Sequence, residues 1–234
     1  LYAPHLYYTH ECPDLFRMGD WWYLLFSEFS DATVTRYRMA RSLAGPWLTP
    51  PVDTFDGRAF YAAKTASDGV HRYLFGWNPT REGETDAGAW QWGGALVVHE
   101  IRQQADGTLV VQEPGSRQAG FGDAMPVSLH AVIGSCGAAG GRTTLIAKDG
   151  YALASAGFLP ETCRVTARLC PSAEAVAFGL MLRADADFEA GYYIRADLSR
   201  QRLVCDAWLR PGDRPYAAET ERPLALCSGE AVEL

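Results

Sequence analysis

The segment His10-Glu-Cys-Pro-Asp-Leu-Phe16 is where this sequence most plainly offers chemistry. A carboxylate, Glu11, lies between His and Cys, and Pro13 and Asp14 follow before an apolar pair opens a strand-like run. Proline locks its own φ and biases the residue before it towards extended backbone, so Cys12 is expected to be extended and Glu11 to sit on a stiff strand start. A stiff mount suits a general acid, which must be held within hydrogen-bond reach of the oxygen it protonates. An ordinary glutamate at a strand end would have the same neighbours, so the segment by itself leaves both readings open.

Other candidates fail on spacing. The five histidines (His5, His10, His71, His99, His130) show neither H-x₃-H nor HExxH spacing, and no metal site is expected. Gly134-Ser-Cys-Gly137 has the look of a nucleophile loop, but Cys136 has no identifiable His and Asp partners and reads as a turn into a strand. Glu82-Gly-Glu-Thr-Asp86 reads as a solvated acidic loop. No phosphate-binding or dinucleotide-binding glycine pattern occurs.

The elements that must position Glu11 are strands. Short aromatic and β-branched runs alternate with Gly, Pro and Asp, and helical periodicity is nearly absent. Strands are expected at Trp21–Phe26, Thr33–Arg38, Phe60–Thr65, Arg72–Trp77, Ala95–Ile101 and Leu109–Gln112. A second group is expected at Thr143–Ala147, Arg164–Leu169, Ala177–Arg183, Gly191–Asp197 and Arg202–Asp206. Trp22-Tyr-Leu-Leu-Phe-Ser27 is echoed by Arg72-Tyr-Leu-Phe-Gly-Trp77, with Tyr73 following Tyr23 by 50 residues. A four-stranded unit repeating at that interval is the pattern of propeller blades. Between Pro114 and Pro126 the texture changes to a Gly-containing linker, after which Trp becomes rare and the strand spacing resembles that of a β-sandwich. The expected division is therefore residues 1–114, read as a partial propeller or as one long antiparallel sheet with a chance echo, and a truncated sandwich over 126–234. The chain begins at Leu1 and stops inside a strand-like stretch, Glu230–Leu234, so both ends are expected to be cut.

Composition bounds the partners. The 234 residues carry a net charge of −7, which argues against a nucleic-acid partner. No run approaches the about 20 apolar residues of a membrane span, and no signal peptide opens the chain. Six scattered cysteines form no CxxC pair and read as reduced, mostly buried thiols. They tilt an otherwise open localisation towards the cytoplasm. With 7 Trp, 11 Tyr and 10 Phe, the chain has side chains that favour strands and, when exposed, make platforms for sugar rings.

Glu11-Cys-Pro-Asp-Leu-Phe16 resembles the acid/base motif of glycoside hydrolase family 32, the invertase, inulinase and levanase family. Asp56-Gly-Arg-Ala-Phe-Tyr-Ala62 resembles that family's Asp-x-Gly-x-Phe-Tyr-Ala motif, with the Gly displaced by one position. Arg72-Tyr-Leu-Phe-Gly-Trp77 is similar to its R-x-L-x-G-W strand. Trp92-Gly-Gly-Ala-Leu-Val-Val-His-Glu100 falls where the family has Trp-x-Gly and then Pro-Arg-Glu, and here Val98-His99 replaces Pro-Arg. Asp106-Gly-Thr-Leu109 and Gln112-Glu-Pro114 match its exit from the last blade. The family's nucleophile motif, Trp-x-Asn-Asp-Pro-Asn-Gly, and its Arg-Asp-Pro motif are both missing. The resemblance covers about Tyr7 to Pro114. It implies an all-β fold made of the last two blades of a five-bladed propeller followed by an incomplete β-sandwich.

The activity implied is retaining hydrolysis of fructosyl bonds in sucrose or fructans, with two carboxyl groups about 5 Å apart. In that scheme Glu11 is the general acid/base, and the nucleophile is not in this chain. Asp56 would hydrogen-bond sugar hydroxyls. Tyr61 would hydrogen-bond the nucleophile or Glu11, and Trp77 would line the pocket or pack in the blade core. No metal or organic cofactor is implied, and the partner is a carbohydrate. The chain alone is expected to be inactive and, with open sheet faces, to self-associate. Two other readings stay open: a non-catalytic carbohydrate-binding or vestigial module, and a five-bladed arabinosidase or xylosidase.

Overall fold

The computed structural model describes residues 2–209, 220–227 and 229–234. Two compact units divide the chain, Leu1–Gln118 with Thr166–Leu234, and Ala119–Val165. In the first unit, β1 (Glu11–Met18), β2 (Trp21–Glu28) and β3 (Val34–Ala40) form an antiparallel meander. A second meander contains β4 (Tyr61–Ser67), β5 (Arg72–Arg81), β6 (Trp90–Gln103) and β7 (Leu109–Gln112). In the second unit, β8 (His130–Ile133) pairs with β11 (Leu153–Ser155), and β9 (Ser135–Ala139) with β10 (Arg142–Ile146). The first unit is completed by a two-residue ribbon of β12 (Arg168–Leu169) with β17 (Val232–Glu233). It also holds a four-stranded meander of β13 (Ala177–Leu182), β14 (Gly191–Asp197), β15 (Arg202–Trp208) and β16 (Thr220–Pro223). Among the described residues, helix is confined to the turn α1 (Gly115–Gln118) and a 3₁₀ turn at Glu82–Glu84.

The first two sheets share one core. Along β2 the alternation places Tyr23 and Leu25 on one face, and from β3 Tyr37 and Met39 join them. Phe16, Phe55, Phe60, Leu74, Ile101 and Leu109 close the cluster. Burying Leu- or Phe-sized side chains contributes about 1.5–3 kcal/mol each, and these ten weld the two sheets together. The two buried tyrosines do not strand their hydroxyls. Tyr23 donates to the Gly107 carbonyl at 2.5 Å, and Tyr37 accepts from the Leu109 amide at 3.0 Å. Both bonds tie the first sheet to the β6–β7 turn.

The other face of β3 carries charge. Arg36 bridges Glu28, Asp31 and Asp53, and Arg38 meets Asp53 at 2.6 Å. The hydroxyls of Tyr2 and Tyr7 also accept from Arg38. Glu28 is fully buried, and Arg38 is 1% exposed. Each charge therefore depends on its partners, because stripping one from a buried pair costs about 3–5 kcal/mol.

Strand placement departs from the sequence expectation in three ways. The first sheet has three strands where four were expected. Its outer position is reduced to the bridges Met39↔Leu48 and Arg36↔Thr54, because Pro46, Pro50 and Pro51 lack the amide a ladder needs. Arg164–Leu169 forms a strand only at Arg168–Leu169, where the two-residue β17 is its sole partner. Conversely, β5 and β6 run on past Trp77 and begin before Ala95, through Asn78-Pro79 and Gly93-Gly94, which read as breakers. The register slips between Pro79 and Arg81, and that irregularity accommodates them.

Gly76 shows how tightly the sheets fit. A Cβ there would run into the Phe60 ring. Gly76→Ala is expected to cost about 1–3 kcal/mol of stability through overpacking; unfolding in urea with an unchanged midpoint would show that Phe60 does not lie on β5.

Burial pushes the Tyr37 phenol up to about 12, although the Leu109 backbone bond favours ionisation. A raised folded-state value means that the neutral phenol's contribution is complete below about pH 10 and is lost as pH climbs towards 12. That contribution is on the order of 2–3 kcal/mol. Denaturant unfolding between pH 9 and 12 should therefore show a steeper fall for the wild type than for Tyr37→Phe, and equal slopes would contradict the assignment.

Candidate active site

β1 and β4 open in the same way. In β1, Glu11 pairs with Ser27 and the next regular pair is Asp14 with Leu25. In β4, Tyr61 pairs with Trp77 and the next is Lys64 with Phe75. Each strand thus carries one extra residue, a bulge that bends it and re-aims the side chain in front of it. The equivalent residues are 50 apart, so Glu11 and Tyr61 occupy the same station on neighbouring sheets. Cys12 (φ 48°) and Ala62 (φ 53°) sit at the bulges in the left-handed region. The expectation that Pro13 holds Cys12 extended is corrected here. Proline disfavours the right-handed helical region, and the bulge draws Cys12 into the left-handed one instead.

A non-glycine residue there costs about 1–3 kcal/mol and persists only where its surroundings over-determine it. Three bonds across the sheet boundary do so. The Thr65 amide donates to Asp14 Oδ2 at 2.7 Å, Lys64 Nζ donates to the Pro13 carbonyl at 2.6 Å, and the Ala62 amide donates to Ser27 Oγ at 2.9 Å. Asp14, the last polar residue of the Glu-Cys-Pro-Asp run, therefore works as a staple to the next sheet.

With both bulges clamped, the Tyr61 hydroxyl donates to Glu11 Oε2 at 2.6 Å. This is a short, charge-assisted bond of the stronger kind. Burial raises the Tyr61 phenol above its ordinary range, and the bond to Glu11 and that residue's charge raise it further. The pair lines a cleft of 440 Å³ whose other walls include Trp77 and Trp92, a size suited to a small ligand. Glu11 is the one carboxylate among its lining residues. Trp77 stands edge-on to Tyr61 (6.4 Å, 81°) and to Trp92 (5.3 Å, 84°). Trp92 is 87% exposed. A large apolar ring held in solvent beside a carboxylate is a feature that burial does not explain.

From the sequence, Trp92 is only the first residue of a quoted motif and is not among the expected site residues. The two glycines that follow let the hairpin arm form. Gly93 has φ 103°, and a Cβ on Gly94 would strike the Asn78 carbonyl on the facing strand. A tryptophan directly before a close-approach glycine pair was the available signal.

Asp56 lies outside the cleft lining. Its Oδ2 meets His99 Nε2 at 2.7 Å, and its Oδ1 accepts from the Gly57 amide at 2.6 Å. Burial pushes its carboxyl up, but the bonds from His99 and Gly57 and the charges of His99 and Arg222 outweigh this and hold it low. His99, on β6, is the partner that the sequence did not assign to Asp56. The His99 ring also meets Phe60 edge-on at 5.2 Å, one residue from Tyr61. Cys136 lies within β9 and its thiol approaches the Leu129 carbonyl at 3.8 Å. Among the described residues, no three His, Cys, Asp or Glu side chains gather in a way that could hold a metal ion, and no helix is long and apolar enough to cross a membrane.

No protein-family model and no curated protein matches this sequence. Solved structures do. Exo-inulinase from Aspergillus awamori superposes with a TM-score of 0.58 at 16% identity, over 95% of this chain and 47% of that one. Weaker likenesses include a xylan β-1,4-xylosidase from Bacillus halodurans C-125 (0.31, 15% identity, 94% and 51% covered). Another is an exo-1,5-α-L-arabinanase from a bovine ruminal metagenomic library (0.30, 16% identity, 43% and 38% covered). The chain spans about half or less of each of these proteins. At this identity the exo-inulinase likeness shows the fold alone: an all-β chain of the β-propeller type.

Replacing Glu11 with Gln removes the negative acceptor while keeping its shape. The Tyr61 phenol should then ionise at lower pH, read by tyrosinate absorbance against a Tyr61→Phe control. An unshifted titration would mean that the two side chains do not touch.

Proposed function

We propose that this chain carries the acid/base half of a β-fructosidase-type glycoside hydrolase active site, with Glu11 as the proton donor and acceptor. The observation that supports this is Glu11, held at 2.6 Å by Tyr61 in a cleft walled by Trp77 and Trp92. The carboxyl would protonate the oxygen of the departing sugar as the anomeric bond breaks. It would then take a proton from the water that releases the fructosyl group, with net retention. Tyr61 orients the carboxyl and keeps one of its oxygens occupied, leaving the other to face the leaving group. Sugar rings have apolar faces, and Trp92 offers them a solvent-exposed surface to stack on, with Trp77 behind it. For Asp56 we propose contacts with sugar hydroxyls through the lone pairs that His99 and Gly57 leave unused. The matching Glu-Cys-Pro-Asp and Phe-Tyr-Ala motifs favour family 32 and fructosides over arabinosides and xylosides. With this goes the proposal that 1–114 is a propeller portion and 126–234 a sandwich portion.

The single carboxylate in the cleft favours a second reading for the 234-residue chain by itself, that of a carbohydrate-binding module without turnover. A two-carboxylate mechanism stripped of its nucleophile loses several orders of magnitude in rate.

The test has two arms. Tryptophan fluorescence is titrated with fructo-, arabino- and xylo-oligosaccharides on the wild-type chain and on Trp92→Ala, and sugar release is assayed in parallel on sucrose, inulin, levan, arabinan and xylan. We expect fructo-oligosaccharides to bind, Trp92→Ala to weaken binding about threefold to tenfold, and no turnover by this chain. In a polypeptide that supplies the second carboxylate, turnover is expected to collapse in Glu11→Gln. Preference for arabino- or xylo-oligosaccharides would move the assignment to that class, and retained turnover in Glu11→Gln would remove Glu11 from the mechanism.

A further inference from the structure

The sheet β13–β16 reaches the cleft's supporting loops from behind, at two separate points. The Tyr192 hydroxyl on β14 donates to Asp86 Oδ2 at 2.6 Å, in the β5–β6 loop. Arg222 on β16 donates through Nη2 to the Asp56 carbonyl at 2.8 Å and to Thr54 Oγ1 at 3.2 Å. The register puts both side chains on one face. Tyr192 pairs with Ala207 and Leu203 with Arg222, and residues 203 and 207 share a side of β15. The same face carries the buried Ala196 and Ala207.

What these two residues hold is what builds the cleft. The loop carrying Asp86 is a compact block: the Glu82 amide bonds the Ala89 carbonyl, the Gly88 amide bonds the Thr85 carbonyl, and Arg81 bonds the Gly88 carbonyl. The Arg81 guanidinium also lies over the Trp90 ring at 3.6 Å. A pull on Asp86 is therefore transmitted to the hairpin arms, which lead directly into Trp92 and Gly93. The turn 54–57 leads into Phe60 and Tyr61, and His99 clamps the Asp56 side chain while Arg222 clamps the backbone.

We propose that Tyr192 and Arg222 are positioning residues, through which the C-terminal sheet sets the placement of the Trp92 arm and of the Asp56 turn beside Glu11 and Tyr61. Its consequence for sugar affinity rests on the carbohydrate reading above, whereas the anchoring itself does not.

Hydrogen–deuterium exchange of the full 234-residue chain separates the two. Tyr192→Phe should speed exchange of amides in 82–94 about twofold to tenfold, the factor expected for one lost hydrogen bond. Arg222→Met should do the same for 54–61. Strands β1 and β2 should be unchanged in both, with little shift in thermal midpoint. In an Asp86→Ala background Tyr192→Phe should add nothing, because the partner is already gone. Fluorescence titration with a fructo-oligosaccharide should show weaker binding by Tyr192→Phe within the same range. Unchanged exchange in both variants overturns the proposal, and so does faster exchange throughout the chain with a lowered midpoint, which marks a general loss of stability. Local opening with wild-type sugar affinity overturns the link to binding. Local opening in a protein whose wild type binds no sugar supports the anchors and sinks the carbohydrate reading instead.

Discussion

A bulge near the start of a strand costs a ladder bond and some backbone strain, and here it occurs twice at matching stations, in β1 and β4. The two bends turn Glu11 and Tyr61 towards one another across a sheet boundary, where regular strands would send side chains perpendicular to their own sheets. The geometry survives because Asp14, Lys64 and Ser27 stitch the bulged segments together with three bonds, each made to the neighbouring sheet. The hydrogen bond at the cleft is thus the end point of a strained arrangement that neither sheet would hold alone.

Behind that arrangement the two faces of β3 play different parts. One face gives Tyr37 and Met39 to the shared apolar core. The other gives Arg36 and Arg38 to a buried charge cluster around Asp53 and Glu28. Apolar burial is nondirectional and tolerates small shifts, whereas a buried ion pair with fixed donors does not. The combination supplies cohesion and a defined register to the sheet that carries Glu11. In contrast, the arms of the β5–β6 hairpin are exposed along most of their length, and Trp92 stands at 87% exposure with few neighbours to fix it. Glu11 therefore sits on the braced side of the cleft and Trp92 on the less braced side.

Within the same geometry, the His99 ring makes one bond to Asp56 and packs against Phe60. Its neighbours hold the Asp56 carboxyl low against the effect of burial, and its backbone carbonyl accepts from Arg222.

The all-β class and the meander strands around Tyr23 and Tyr73 were legible in the residues, and Glu11 stood out there as a candidate, whereas Tyr61 entered only through the resemblance. Local alternation, a 50-residue echo and a proline-flanked carboxylate are properties of short stretches of chain. The incomplete first sheet was legible too, in Pro46, Pro50 and Pro51, had their missing amides been counted. Other features depend on contacts between distant segments. The left-handed Cys12 is set by a bulge that exists only when β1 pairs with β2. The strand character of Asn78–Arg81 and Trp90–Gly94 appears once each arm has the other to bond, since their glycines and proline favour loops when considered singly. The partner of Asp56 lies 43 residues away in sequence, and Tyr192 and Asp86 are 106 apart. Composition and spacing determined which groups could do chemistry; tertiary pairing decided which of them meet, because a hydrogen bond's direction is set by the fold that brings both ends together.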